Sequence, residues 1–196
     1  MTTGKMSESN ETNVIRATQR WLEHAVIGLN LCPFAKAVHV KGQIRYVVST
    51  ATTTDALLNA LEAELAFLRD ADPLLVDTTL LILPQMLGNF ADYTDFLDLA
   101  EVVLRTHQLG GVLQIASFHP DYVFADVAAD DVTNCTNRSP YPMLHLLREV
   151  SVSRATQAYP DAARIFQRNM DTLNSLGIDG WQALNVGQEN TPTDQT

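Results

Sequence analysis

The segment from Asn134 to Arg148 concentrates polar side chains that could bind an anion or transfer a proton. Its sequence, NCTNRSPYPMLHLLR, holds two asparagines, a thiol, two arginines, a tyrosine and a histidine within fifteen residues. Guanidinium groups bind carboxylates and phosphates through paired hydrogen bonds, and imidazole changes its charge close to neutral pH. The segment is therefore the first candidate for a functional site in this chain.

The residue pattern places this segment at the start of a predicted helix. Ser139 is a suitable N-cap, Pro140 suits the first helical position, and apolar residues follow at helical spacing. On such a helix Tyr141, His145 and Arg148 would share one face, with leucines on the opposite face. The unpaired N–H groups at the helix start would add to the attraction for an anion.

Upstream of this segment, strands and helices are predicted to alternate. Apolar runs predict strands at 44–49, 79–83 and 112–118, and helical spacing predicts long helices capped by Thr53 or Thr54 and by Asp92. Two consecutive βαβ units predict an α/β fold, with a βαβαβ core, a mainly parallel sheet of three or four strands and helices on its faces. The 79–83 strand is apolar throughout, so we expect both its faces to be covered.

Further elements are predicted at both ends of this core. A helix over about 12–31 would be ended by Pro33, and a last helix would run from Pro160 to Gly177. Trp181 and Leu184 are expected to dock after that helix. Residues 121–127 could add an edge strand.

Composition favours a single domain without a membrane or nucleic-acid partner. The 196 residues, 46% of them hydrophobic, can bury one core over residues 12–184, with polar disordered tails at 1–11 and 185–196. The chain shows neither an apolar run long enough to cross a bilayer nor an export signal, so we expect a cytoplasmic location. The net charge of −10 disfavours nucleic acid. The oligomeric state is not indicated by the sequence.

The leading hypothesis is a crevice that binds a small anionic metabolite and could also act on it. Ligands of open α/β sheets collect beyond the carboxyl ends of the strands, where His119 follows the third predicted strand. The loop after His119 leads back to the polar segment, so the strand end and the helix start would meet. The expected site residues are His119, Asn134, Asn137, Arg138, Tyr141, His145 and Arg148.

The same residues also fit a structural role without catalysis. Asparagine and serine before a helix commonly close loops and cap the helix, and Arg138 and Arg148 could pair with neighbouring carboxylates such as Asp121, Asp126 or Glu149. The chain would then be an interaction domain. Sealing of these side chains against backbone carbonyls would favour this interpretation, whereas an open pocket lined by Arg138 and His145 would favour a ligand site.

Cys32 supports two weaker hypotheses. A Cys-dependent acyl transferase or hydrolase would need His119 or His145 as base and an asparagine, Asn134 or Asn137, as orienting or oxyanion group. Cys32 follows a predicted helix C-terminus, which disfavours a reactive thiolate. A zinc site would draw on Cys32, His119, Cys135 and His145, but the short paired spacing of zinc modules is missing. No metal site is predicted, and no cofactor motif is recognised.

Three segments carry a family resemblance. GLNLCPFA (28–35), QIASFHPDYVFAD (114–126) and NCTNRSPYPMLHLLRE (134–149) closely resemble a bacterial family described only as a domain of unknown function. The resemblance extends over roughly residues 12–184, and the length of the third segment makes it specific. The family implies no activity, substrate or cofactor. An aromatic residue is common in that family where Cys135 stands, which disfavours any role that needs a thiol there.

Overall fold

A four-stranded mixed sheet forms the centre of the protein. The computed structural model describes residues 7–158 and 164–187. The order in the sheet is β1-β2-β4-β3, in which β1 pairs with β2 in parallel and β4 pairs antiparallel with both β2 and β3. Three strands therefore run in one direction, and β4 is inserted between two of them in the other. The strands are β1 (Ile44–Val48), β2 (Thr78–Ile82), β3 (Leu113–Phe118) and β4 (Met143–Arg148).

The α/β class was predicted correctly, but the mainly parallel sheet and the helix starting at Ser139 were wrong. The segment MLHLLR is β4, and in so short an apolar run helical and strand spacing cannot be told apart. Pro140 and Pro142 also disfavour helical backbone at the residues before them. The run pairs along both its edges, and Met143, Leu144 and Leu146 are fully buried, which accounts for its apolar character.

Two long helices connect the parallel strands and cover one face of the sheet. Helix α3 is capped by Thr53, as predicted, whereas α4 is capped by Asn89, three residues before the predicted Asp92. Asn89 Oδ1 accepts from the backbone N–H groups of Ala91 and Asp92. The helices are α1 (Glu8–Trp21), α2 (Ala35–Val40), α3 (Thr54–Asp70), α4 (Phe90–Thr106), α5 (Glu149–Ala158) and α6 (Ile165–Ala183).

Side-chain alternation along the strands divides the interior into two main cores. Leu81, Leu144 and Leu146 face α3 and α4, while Leu80 and Met143 face α1 on the other side. All five residues of β2 are buried, which confirms the prediction of a strand covered on both faces.

The first helix begins at Glu8, before the predicted Thr12, and continues beyond Trp21 as a π-helix over Leu22–Ile27. Gly28 closes this wider turn. A Cβ atom at Gly28 would lie 2.2 Å from the carbonyl oxygen of His24, so the chain can pass this point only with glycine.

The C-terminal helix is broken where the sequence predicted its end. Gly177 has φ 68° and ψ 173°, a conformation that redirects the chain so that Trp181 and Leu184 pack against the core beneath α1, as predicted. The predicted start at Pro160 lies outside the described residues, as do most of the two predicted tails. Residues 121–127 form turns and irregular backbone instead of the predicted edge strand. No described helix is both long and apolar enough to span a membrane.

Candidate functional site

His119 lies at the end of β3, as predicted, but it is fully buried and both its ring nitrogens are occupied. Nδ1 accepts from the Asp121 N–H at 3.0 Å, so the ring proton must be on Nε2, which donates to the Leu87 carbonyl at 2.9 Å. Burial lowers the pKa of His119 below its usual value, which keeps the ring neutral. The imidazole holds two loops together and offers no free nitrogen to a ligand.

Asn134 and Asn137 close the loop that follows His119. Asn134 is fully buried, accepting from the Phe124 N–H at 3.0 Å and donating to the Ala128 carbonyl at 2.8 Å. The Asn137 amide donates to the Ser117 carbonyl at 3.1 Å. These contacts fit the structural role that the sequence left open for both asparagines.

Arg138 is held by the loop that these asparagines close. Its Nε donates to the Tyr122 carbonyl at 3.3 Å and its Nη2 to the Ala129 carbonyl at 2.6 Å. Over residues 7–158 and 164–187 it forms no ion pair with a carboxylate, so the predicted pairing with Asp121 or Asp126 does not occur. The guanidinium lies at a half-exposed position.

A pocket of about 330 Å³ opens beside Arg138. Its walls come from the end of α1, the turn after β3, the segment before β4 and the last turns of α6, and include Trp21, Pro120, Arg138, Pro140, Trp181 and Gln182. Because β4 is antiparallel, its start lies at the same sheet edge as the ends of β1, β2 and β3. The pocket therefore lies at the edge where the sequence predicted a crevice.

The pocket wall is positively charged although the whole chain carries −10. Arg138 supplies a charge, and none of the lining residues that the structure describes is an aspartate or a glutamate. The indole N–H of Trp181 and the side-chain amide of Gln182 form no hydrogen bond within the described part of the chain, whereas the Trp21 N–H donates to the Arg138 carbonyl at 2.8 Å. The wall thus has several donors and no negative group.

The three side chains expected on one helix face are separated by the strand geometry of β4. His145 accompanies Met143 on one face of the sheet, and its Nε2 lies 2.7 Å from Thr78 Oγ1, whose own proton goes to the Leu146 carbonyl. Nε2 must therefore be the donor. Burial lowers the pKa of His145 to about 4, so the ring is neutral at pH 7.

Tyr141 and Arg148 are also tied to the protein interior. Tyr141 is buried in the core beneath α1, and its carbonyl accepts from the Ser139 hydroxyl at 2.7 Å. Arg148 is only 8% exposed and donates to the Ala71 and Val76 carbonyls at the far end of the sheet. Of the residues predicted for the crevice, Arg138 is the one that lines the pocket.

Cys32 has no base to activate it. The sulfur is partly buried against the core beneath α1, close to the backbone N–H donors of Phe34 and Ala35. Burial outweighs these two donors and raises the pKa of the thiol. No hydrogen bond joins Cys32 to a histidine in the portion of the chain that the structure describes.

The four residues considered for zinc binding do not converge. Cys135 is fully buried, and burial raises its pKa although the Arg138 charge opposes this effect. His119 and His145 are engaged by a backbone carbonyl and a threonine, respectively. Within residues 7–158 and 164–187 no three His, Cys, Asp or Glu side chains form a group suited to a metal ion.

Sequence reasoning missed the aromatic residues that shape the pocket. The chain has two tryptophans, Trp21 and Trp181, and both line it. Trp21 is 2% exposed and packs edge-on against Phe118, with ring centroids 5.2 Å apart. The available signal was a lone tryptophan in each terminal region, Trp21 within the predicted helix over 12–31 and Trp181 after the predicted helix end at Gly177, but nothing in the sequence brings the two together.

Comparison with known proteins yields a family without an assigned activity. No curated protein and no solved structure shows a significant match to the chain. A family model described as "Protein of unknown function (DUF1415)" matches residues 13–183, which is most of the chain. The chain therefore belongs to the DUF1415 family.

Proposed function

We propose that this protein binds a small anionic metabolite in the pocket beside Arg138. The observation that carries the proposal is the charge of the pocket wall. Among the described residues, the Arg138 guanidinium has no carboxylate partner and the wall has no acidic side chain. The chain as a whole has a net charge of −10. A wall with this charge attracts an anion that the rest of the surface repels.

Arg138 is also positioned before any ligand arrives. Two backbone carbonyls fix its guanidinium, which has five N–H donors in a planar fork. The donors that remain can bind a carboxylate or phosphate without ordering a long flexible side chain at the moment of binding. His119 and Asn137 act as positioning residues, because they tie the turn after β3 to the segment before β4.

The test adds a negative charge to the pocket wall. Gln182→Glu exchanges an exposed pocket amide for a carboxylate of the same shape, and Gln157→Glu makes the same change on α5, outside the pocket. Benzoate and inorganic phosphate are the probes. Because both tryptophans line the pocket, intrinsic fluorescence reports on it directly, and native mass spectrometry identifies any metabolite that co-purifies.

We expect Gln182→Glu to weaken anion binding about tenfold or more through charge repulsion, while Gln157→Glu binds like the unmodified protein. Both variants should keep their melting temperature, since neither amide forms a side-chain hydrogen bond in the described residues. Failure of both probes to bind, or equal binding by the two variants, would refute an anion site at this pocket.

A second candidate function is a non-catalytic interaction domain. It is favoured by the contacts of Asn134, Asn137 and Arg138, whose side chains all bond to backbone groups in the manner of a loop-closing network. In this case mutation of Arg138 would lower stability and no small anion would bind. A cytoplasmic location also remains our proposal, and the free thiols of Cys32 and Cys135 suit a reducing compartment.

A further inference from the structure

Resting on the proposed function, we infer that the ligand is a small aromatic monocarboxylate, whose ring lies against Trp181 and whose carboxylate meets Arg138. The inference joins three properties of the pocket that are independent of one another: its aromatic wall, its single charge and its volume.

The wall is built from flat, rigid side chains. Trp181 packs against two buried clusters and is still partly exposed to the pocket, so its ring is held in place while part of it remains accessible. Trp21, almost fully buried, backs the pocket and is fixed by its bond to the Arg138 carbonyl. Pro120 and Pro140 add two further rings. Surfaces of this kind favour a planar aromatic ring over a puckered or flexible apolar group.

The charge favours a monoanion. Arg138 contributes one positive charge, and the other lining residues are uncharged. The guanidinium fork matches the two oxygens of a carboxylate, whereas a phosphate dianion would leave one charge uncompensated. The Trp181 N–H and the Gln182 amide, both without a partner in the described residues, are further donors for such a group.

The volume limits the size of the ligand. Small-molecule pockets generally span about 300–1,000 Å³, and this pocket, at about 330 Å³, stands near the lower limit. It can take one ring or two fused rings with an acid group. Dinucleotides and acyl-coenzyme A molecules are too large for it.

The experiment compares carboxylates of equal charge by isothermal titration calorimetry. Benzoate and indole-3-carboxylate present planar rings, and cyclohexanecarboxylate presents a puckered ring of similar size. We expect the planar acids to bind about tenfold more tightly, as stacking allows. Trp181→Leu should abolish this preference while retaining weak binding of cyclohexanecarboxylate. Trp181→Phe, which keeps an aromatic ring, should preserve the preference.

The control is Phe166→Leu, which removes an exposed aromatic ring on the same helix outside the pocket and should leave all affinities unchanged. Circular dichroism checks that each variant is folded. If neither a carboxylate nor inorganic phosphate binds, the proposed function itself fails. If phosphate alone binds, the inferred specificity for an aromatic carboxylate is refuted and anion binding stands. If planar and puckered acids bind equally well, or if Trp181→Leu keeps the preference for planar acids, anion binding stands and the aromatic specificity is refuted.

Discussion

His145 should make the protein less stable in mild acid. The imidazole lies in the middle of β4, where its Nε2 donates to Thr78, and Phe118 lies on the same face with its ring centroid 6.1 Å away. Nδ1 has no partner among the described residues, so protonation would place a charge in this half-buried site without a counter-ion. The proton is therefore taken up more readily by the unfolded chain.

The size of the effect follows from the pKa of His145, which burial lowers to about 4. In the unfolded chain histidine titrates near pH 6.5, and each pKa unit corresponds to about 1.4 kcal/mol. The unfolded state binds the proton first as the pH falls, so stability is lost between pH 6.5 and 4 and recovered above that window. With these two pKa values, lowering the pH from 7 to 5 reduces the free energy of unfolding by about 2 kcal/mol. Residual solvent contact of the His145 side chain reduces this loss to about 1–2 kcal/mol.

Urea unfolding at pH 7 and pH 5 measures this loss, with His145→Gln as the variant, since glutamine keeps an N–H donor for Thr78. The unmodified protein should lose about 1–2 kcal/mol more than His145→Gln between the two pH values. His119, whose pKa is also lowered, is present in both proteins and cancels. His24→Gln, at an exposed site, controls for the loss of an imidazole as such. Equal losses for the unmodified protein and His145→Gln would show that the burial argument is wrong.

Two further substitutions test contacts that hold the sheet edges. Tyr93→Phe removes a fully buried hydroxyl that donates to the Met143 carbonyl and accepts from the Phe118 N–H. We therefore expect the free energy of unfolding, measured with urea, to fall by about 2–4 kcal/mol. An unchanged urea midpoint would contradict this. Arg148→Met removes the donor to the partly buried carbonyls of Ala71 and Val76 and should lower the free energy of unfolding by about 1–3 kcal/mol while leaving benzoate affinity unchanged. Lost binding with intact stability would instead support the predicted ligand role of Arg148.

Local patterns predicted the elements whose formation depends on nearby residues. The side chain of Thr53 caps α3 from within the adjoining turn, and the apolar run of β2 reflects burial on both faces. The break of the last helix at Gly177 was also predictable, because a glycine at a helix end adopts backbone angles that other residues avoid. The docking of Trp181 was expected to follow this break. The family resemblance, noted over roughly residues 12–184, nearly coincides with residues 13–183, which the family model matches.

The site was predicted only in part, and the error has one physical origin. Tyr141, His145 and Arg148 were grouped because they share a face on a helix, but successive residues of a strand point to opposite faces, which puts His145 and Arg148 on different sides of the sheet. The choice between helix and strand for so short a run depended on its pairing partners, and those partners, β2 and β3, lie far away in sequence. A local pattern contains no information about them.

The sequence by itself determined the α/β class, the three strands β1, β2 and β3, and the helices α3 and α4. Only the tertiary structure decided that β4 enters the sheet, that His119 and Asn134 are sealed against backbone groups, and that Arg138 has no carboxylate partner among residues 7–158 and 164–187. It also brought Trp21 and Trp181 together around one pocket. These outcomes depend on contacts between residues distant in the chain, whereas caps, turns and apolar periodicity depend on neighbours only.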